Sequence, residues 1–218
     1  FYCKFNKPIL SHDFSNGEIS SANQKSVSSE KGVVAYLNFG TLKEPLEVQV
    51  AISAVDQKGA KNNLMQASNG LNFDSVVKQT QDRWRKKLGK IQIAAKDTTI
   101  LKNFYTAMYH TAIAPMTYSD VDGRYRGMDQ QIHQGTPGTD RYTAYSLWDT
   151  FRSWFPLMSI TAPEQTKKWI YDVYQQGQEG GVLPKWPLNG NYTGTMVGYP
   201  AVSVMADALS KELLDSIP

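Results

Sequence analysis

From Ser146 to Gly198 the chain carries two clusters that set Trp among charged residues, on either side of a helical segment. The first is Ser146-Leu147-Trp148-Asp149-Thr150-Phe151-Arg152. The second, Gly180-Gly181-Val182-Leu183-Pro184-Lys185-Trp186-Pro187-Leu188-Asn189-Gly190-Asn191-Tyr192, is punctuated by glycines through Gly194 and Gly198. A long loop with this many large aromatics is too apolar for a disordered linker and needs a scaffold under it. Flat apolar ring faces cover sugar C–H groups, and a few fixed charges take hydroxyls, so such clusters suit a polyhydroxylated ligand.

The scaffold follows from periodicity. Residues 1–65 read as strands. Phe1, Cys3 and Phe5 alternate with Tyr2 and Lys4. Leu46, Val48, Val50 and Ile52 alternate with polar or small residues, and Val33–Phe39 is rich in β-formers. About three strands cannot bury both faces of a sheet, so partner strands are expected upstream. Helical spacing starts at Phe73, with Val77, Trp84 and Leu88 on one face, Asn72 as N-cap and Gly89 as stop. Asp97 opens a second helix to about Ala114, ended by Pro115, with Ile100, Leu101, Phe104, Met108 and Ala112 on one face. Further helices are expected from Trp148 to Ile160, kinked or shortened by Pro156; from Pro163, capped by Thr161; and from Pro200. The stripe Trp169, Ile170, Val173, Tyr174 and the set Val204, Met205, Leu209, Leu213 should be buried. Residues 116–145 have strand character around an Asp122-Gly123 turn, and residues 177–198 read as a loop. Helices joined by alternating short and long connections suggest antiparallel pairs with a cleft at one end. The expected fold is therefore a β-sandwich tail (1–65), a helical linker (66–96) and a mainly α domain (97–218) forming part of an α/α toroid, which the family resemblance given below makes an (α/α)6 toroid.

Composition removes several classes of function. At 41% hydrophobic and 20% charged, the chain is globular in type, not disordered. Its net charge of +3 is spread along the sequence, which gives no nucleic-acid footprint. No apolar run is long enough to span a membrane. The lone Cys3 rules out an intramolecular disulfide. Twelve Tyr, 8 Phe and 5 Trp would serve a sugar cleft and a large core equally. The chain opens in a strand-like run, Phe1–Phe5, and stops just after a helix, so it is expected to be a piece of a longer protein.

Asp149 and Arg152 stand three apart and would share a helix face. Two readings fit that spacing. In one, Asp149 sits in a first turn, pairs with Arg152, and Trp148 is core. In the other, both charged groups reach a sugar. Asp120, Asp122 and Asp129 are acidic enough to raise calcium, but their spacing fails the EF-hand pattern. Asp120 and Asp122 are read as turn formers and partners of Arg124 or Arg126, and no residue is assigned as a metal ligand. His110 reads as a packed or capping residue. Glycosidases need two carboxylates, yet Glu179 is the only acidic residue between Asp172 and Asp207.

With these residues in place, the sequence resembles glycoside hydrolase family 92, the calcium-dependent exo-acting α-mannosidases. The resemblance rests on Phe104–His110, Tyr118–Gly127, Ser146–Arg152, Gly181–Trp186 and Asn189–Gly198, in the family's order, with Val50–Val55 and Lys61-Asn62-Asn63-Leu64 before them. It implies a β-sandwich, a helical linker and an (α/α)6 barrel, with inverting, calcium-assisted hydrolysis of terminal α-linked mannose at a site between the two domains. It implies an exported, periplasmic or cell-surface protein. By this resemblance Trp148, Asp149 and Arg152 would help form the mannose pocket. Lys185, Trp186, Asn191 and Tyr192 would lie near the leaving-group side. The family's general-acid Glu is replaced here by Tyr192, and a phenol is a far weaker acid than a carboxylic acid. The base aspartates and most calcium ligands are expected outside these residues, so the chain alone is expected to be inactive. Its partners would be an α-mannose-containing glycan and other parts of the same protein, or further copies of itself. Rival readings are a non-catalytic glycan-binding relative, another helical-toroid carbohydrate enzyme, and a purely structural helical domain with Trp148, Trp186 and Arg152 buried.

Overall fold

The structure is a computed structural model, and it describes residues 1–15, 20–22, 32–68, 70–136 and 139–214. The chain divides into two compact units, Tyr2–Ala51 and a larger one that contains Phe1 and begins again at Ile52.

The smaller unit is all β. Its strands are β1 (Tyr2–Phe5), β2 (Ser11–Ser15), β3 (Ser20–Ala22), β4 (Val34–Asn38) and β5 (Val48–Ala51). β1 and β5 pair antiparallel, Cys3 opposite Val50. β2 lies between β3 and β4, with Asp13 opposite both Ala22 and Tyr36. Val48 and Val50 stay exposed, as the alternation of a one-sided sheet predicts for an uncovered face.

The larger unit begins with α1 (Gln57–Ser68), α2 (Phe73–Leu88) and α3 (Thr98–His110). The strand reading of residues 1–65 is corrected here. The strands end at Ala51, and Lys61–Leu64 lie in α1. Asp56 caps that helix, accepting the Gly59 amide at 2.6 Å, and Ala60 and Leu64 are buried beneath it. Asn72 and Asp97 cap α2 and α3 through the amides of Ser75 and Thr99. Gly89 follows α2 as the stop. α3 ends at His110, earlier than Ala114. Neither α2 nor α3 has a buried residue, and Phe73 and Ile100 are exposed.

Residues 116–143 form two small ladders. β6 (Met116–Thr117) pairs with β9 (Tyr142–Thr143), and β7 (Arg124–Arg126) pairs with β8 (Ile132–Gln134). Then come α4 (Leu147–Thr150), α5 (Trp154–Thr161) and α6 (Pro163–Gly180). The single helix expected from Trp148 to Ile160 is thus two. The break is at Ser153, in the left-handed region at φ 58°, not at Pro156. Pro156 occupies the first turn of α5, where its missing N–H removes no helix hydrogen bond. Thr161 is the last residue of α5 and hydrogen-bonds back to Leu157, so the cap position before α6 falls to Ala162. α6 runs to Gly180 and closes on left-handed Gly181. The expected loop from 177 therefore begins as helix and then forms a hairpin, β10 (Pro187–Leu188) with β11 (Asn191–Tyr192). Among the described residues the last element is α7 (Pro200–Ser210).

One apolar core joins α4 to α7. Leu147, Phe155, Met158, Trp169, Ile170, Val173, Val204 and Met205 are all buried in it. Each such side chain contributes about 1.5–3 kcal/mol on burial. Tyr174 and Leu213 are only partly buried against it, and Leu209 is 44% exposed, against expectation. Partly buried Trp154 packs on buried Trp169 with ring centres 4.9 Å apart, and it donates to the Thr111 carbonyl. Among the described residues no helix is long and apolar enough to cross a membrane.

Candidate functional site

The two Trp clusters meet. Trp148 and Asp149 lie on α4, whose Leu147 amide donates to the Lys185 carbonyl at 3.1 Å. Gly198 abuts the Trp148 ring from the far end of the loop: a Cβ there would stand 3.9 Å from Cζ3. Pro184 and Pro187 are fully buried, and they hold the half-buried Lys185 and Trp186 between them. Trp148 is 40% exposed, so it is not the core residue of the first reading. Nor does Asp149 pair with Arg152. Its carboxylate accepts the Ser146 hydroxyl, while Arg152 lies beyond α4 with its guanidinium 5.0 Å from the Phe151 ring centre. Asn191 and Tyr192 form the outgoing strand of the hairpin, with Asn191 exposed and Tyr192 half-buried.

Residues 118–143 form a platform that grips the hairpin tip. The Asn189 amide donates to Thr143 Oγ1 at 2.6 Å, and Gln130 Nε2 donates to the Gly190 carbonyl at 2.6 Å. Asn189 and Gly190 have φ of 50° and 68°, the left-handed pair that an Asn-Gly hairpin turn supplies.

Under the platform lies an ionic cluster. Arg141 Nε stands 3.0 Å from Asp172 Oδ1, and Arg141 Nη2 stands 2.9 Å from Glu179 Oε1. Tyr125 donates to Glu179 at 2.8 Å, and the Met128 amide takes the other Glu179 oxygen. Gln176 and the Tyr142 amide donate to Asp172 Oδ2. The Tyr125 ring carries the Arg141 guanidinium at 4.5 Å and stacks on His133. Glu179, the one acidic residue of this part of the sequence, is thus fully engaged in the scaffold. The sequence showed Asp172 and Glu179 as isolated acidic residues and Tyr125 beside a turn, but not that they meet around Arg141. The signal was there: Asp172, Gln176 and Glu179 recur at four and three residues, one face of α6, beside the apolar stripe.

Burial pushes the Asp172 carboxyl up to about 6 from 3.8, against the pull of Arg141. The folded protein therefore holds this proton more tightly than the unfolded chain. The resulting stabilisation is complete below the unfolded value and is lost as pH rises through about 6. Wild type should lose stability relative to Asp172→Asn between about pH 4 and about pH 7, read from denaturant midpoints. A pH-independent difference would mean that the carboxyl titrates normally.

The acidic residues of the platform are structural too. Asp122 pairs with Arg124 at 3.0 Å, as expected. Asp120 does not pair with either arginine. It accepts the Ser53 hydroxyl at 2.7 Å and the Asn63 amide at 2.8 Å, pinning Ile52–Asn63 to the platform. Arg124 also hydrogen-bonds Asp56 and holds it down to about 2. Among the described residues no three His, Cys, Asp or Glu side chains converge to hold a metal ion.

A family model described as the glycosyl hydrolase family 92 catalytic domain matches residues 59–216, which include both Trp clusters, the platform and α6. The α-mannosidase BT3965 from Bacteroides thetaiotaomicron is 30% identical, with a TM-score of 0.86 over 99% of this chain and 30% of its own. The same enzyme solved with mannoimidazole superposes at a TM-score of 0.84, again at 30% identity, over 99% of this chain and 29% of its own. The inverting mannosidase BT2199 from the same organism, at 24% identity, shares the fold with a TM-score of 0.88 over 99% of this chain and 29% of its own. No curated protein matches. The chain belongs to glycosyl hydrolase family 92. It spans about 30% of the length of the solved relatives.

Proposed function

We propose that this chain is part of an enzyme that removes terminal α-linked mannose from glycans, with inversion and with calcium assistance. The observation that carries the reading is the exposed Trp148 face beside the Lys185–Tyr192 hairpin, inside the stretch matched by the family 92 catalytic domain. That a 30% identical α-mannosidase was solved with mannoimidazole supports the substrate class. Trp148 would cover a sugar ring, Asp149 and Arg152 would take hydroxyls, and Lys185, Trp186, Asn191 and Tyr192 would border the leaving group. The catalytic carboxylates and the calcium ligands would come from elsewhere in the protein, since Glu179 is engaged and Asp149 is the exposed carboxylate of the site. An exported location belongs to the same reading.

A second reading has one feature in its favour: Tyr192, on β11, stands where the family resemblance would put a carboxylic acid. It is glycan binding without turnover. Incubating the full-length protein with α-mannosides, with and without a calcium chelator, separates the two. Mannose release that stops on chelation is the expected result, and Trp148→Ala should raise KM about tenfold with thermal stability nearly unchanged. Binding without release would select the second reading, and neither would sink both.

A further inference from the structure

We propose that Thr143 and Gln130 are positioning residues for the glycan site, acting through the Asn189–Gly190 turn. The proposal rests on the α-mannoside reading above. The hairpin that carries Asn191 and Tyr192 has two residues in each strand, joined through Pro187 opposite Tyr192 and Leu188 opposite Asn191. A ladder that short does not hold a shape in water by itself. Its base is held by the Leu147–Lys185 bond and the buried Pro187, and its tip is set from outside. Thr143 is 5% exposed, and its hydroxyl oxygen accepts the Asn189 amide. Gln130 donates to the carbonyl of the next residue, Gly190. Thr143 is itself fixed by the β6–β9 ladder, opposite Met116, and its neighbours Arg141 and Tyr142 are tied to α6 through Asp172. The turn is therefore referenced to the buried helix, and the side chains of Asn191 and Tyr192 inherit that reference. A displacement of about 1 Å in groups that position a substrate can lower turnover by about 10²-fold.

The test uses the full-length protein. Thr143→Val keeps the shape and removes the acceptor; Thr143→Ser restores it. Gln130 is exposed, so Gln130→Ala leaves the fold intact. Both Thr143→Val and Gln130→Ala should lower kcat on an α-mannoside about tenfold with KM within about twofold, and Thr143→Ser should behave as wild type. Hydrogen exchange at Leu188–Tyr192 should quicken in the two impaired variants and not in Thr143→Ser. Wild-type kcat in a folded Gln130→Ala and Thr143→Val would overturn the proposal while leaving the α-mannosidase reading standing. A wild-type protein that releases no mannose from any α-linkage would overturn both.

Discussion

Arg141→Leu should destabilise the larger unit by about 3–5 kcal/mol, because it leaves two buried carboxylates without their cation. The Asp172 side chain is 1% exposed and that of Glu179 is 10% exposed, and both oxygens nearest Arg141 lie within 3.0 Å of it. Water cannot take over the role of the guanidinium there. The same logic predicts a partial reversal. Arg141→Leu combined with Asp172→Leu should recover much of the loss, since an apolar pair of similar volume often matches a buried ion pair in stability. Glu179 would keep Tyr125 and the Met128 amide as donors. Urea denaturation of the single and double variants measures both effects. A single variant within about 1 kcal/mol of wild type would show that the cluster is hydrated rather than desolvated.

Gly190→Ala should detach the hairpin. A Cβ at this position would lie 2.6 Å from the Arg126 carbonyl oxygen and 2.8 Å from the Tyr118 hydroxyl. The carbonyl belongs to a laddered strand and cannot yield as the end of a flexible side chain would. The backbone adds its own cost, about 1–2 kcal/mol for an L-residue at the φ of 68° recorded here. The expected outcome is a lower unfolding temperature and increased proteolytic cleavage between Trp186 and Thr193, with the α5–α7 core still folded. A variant as protease-resistant as wild type would show that the platform, and not the hairpin, moves to make room.

The two effects mark what the sequence could and could not disclose. Local chemistry was legible. Asn72, Asp97 and Pro163 stand at helix starts, and Trp169, Ile170 and Val173 are buried as their spacing requires. Where tertiary contacts overrode propensity, the reading failed. The break at Ser153 serves the seating of Trp154 against Thr111 and Trp169, and nothing between residues 148 and 160 announces it. The helix at 57–68 was hidden because Gly59 and two asparagines weaken its helical pattern; Asp56 and the Asp120–Asn63 bond supply the missing reason for it. The Trp clusters were visible as candidates because their composition is unusual. The grip on the hairpin was not, since Thr143, Gln130 and Tyr118 are ordinary residues whose importance is purely geometric.

The hydrogen bonds that fasten this region also set an order of assembly. Arg141 meets Glu179 across 38 residues, Thr143 meets Asn189 across 46, and Gln130 meets Gly190 across 60. Closing loops of that length costs chain entropy before any contact forms. α5 and α6 are adjacent in the chain and can pack first. The Pro187–Tyr192 hairpin is therefore a late arrival on the folding route and, for the same reason, an early departure on the way out. Ligand held at this surface would slow unfolding more than it speeds folding.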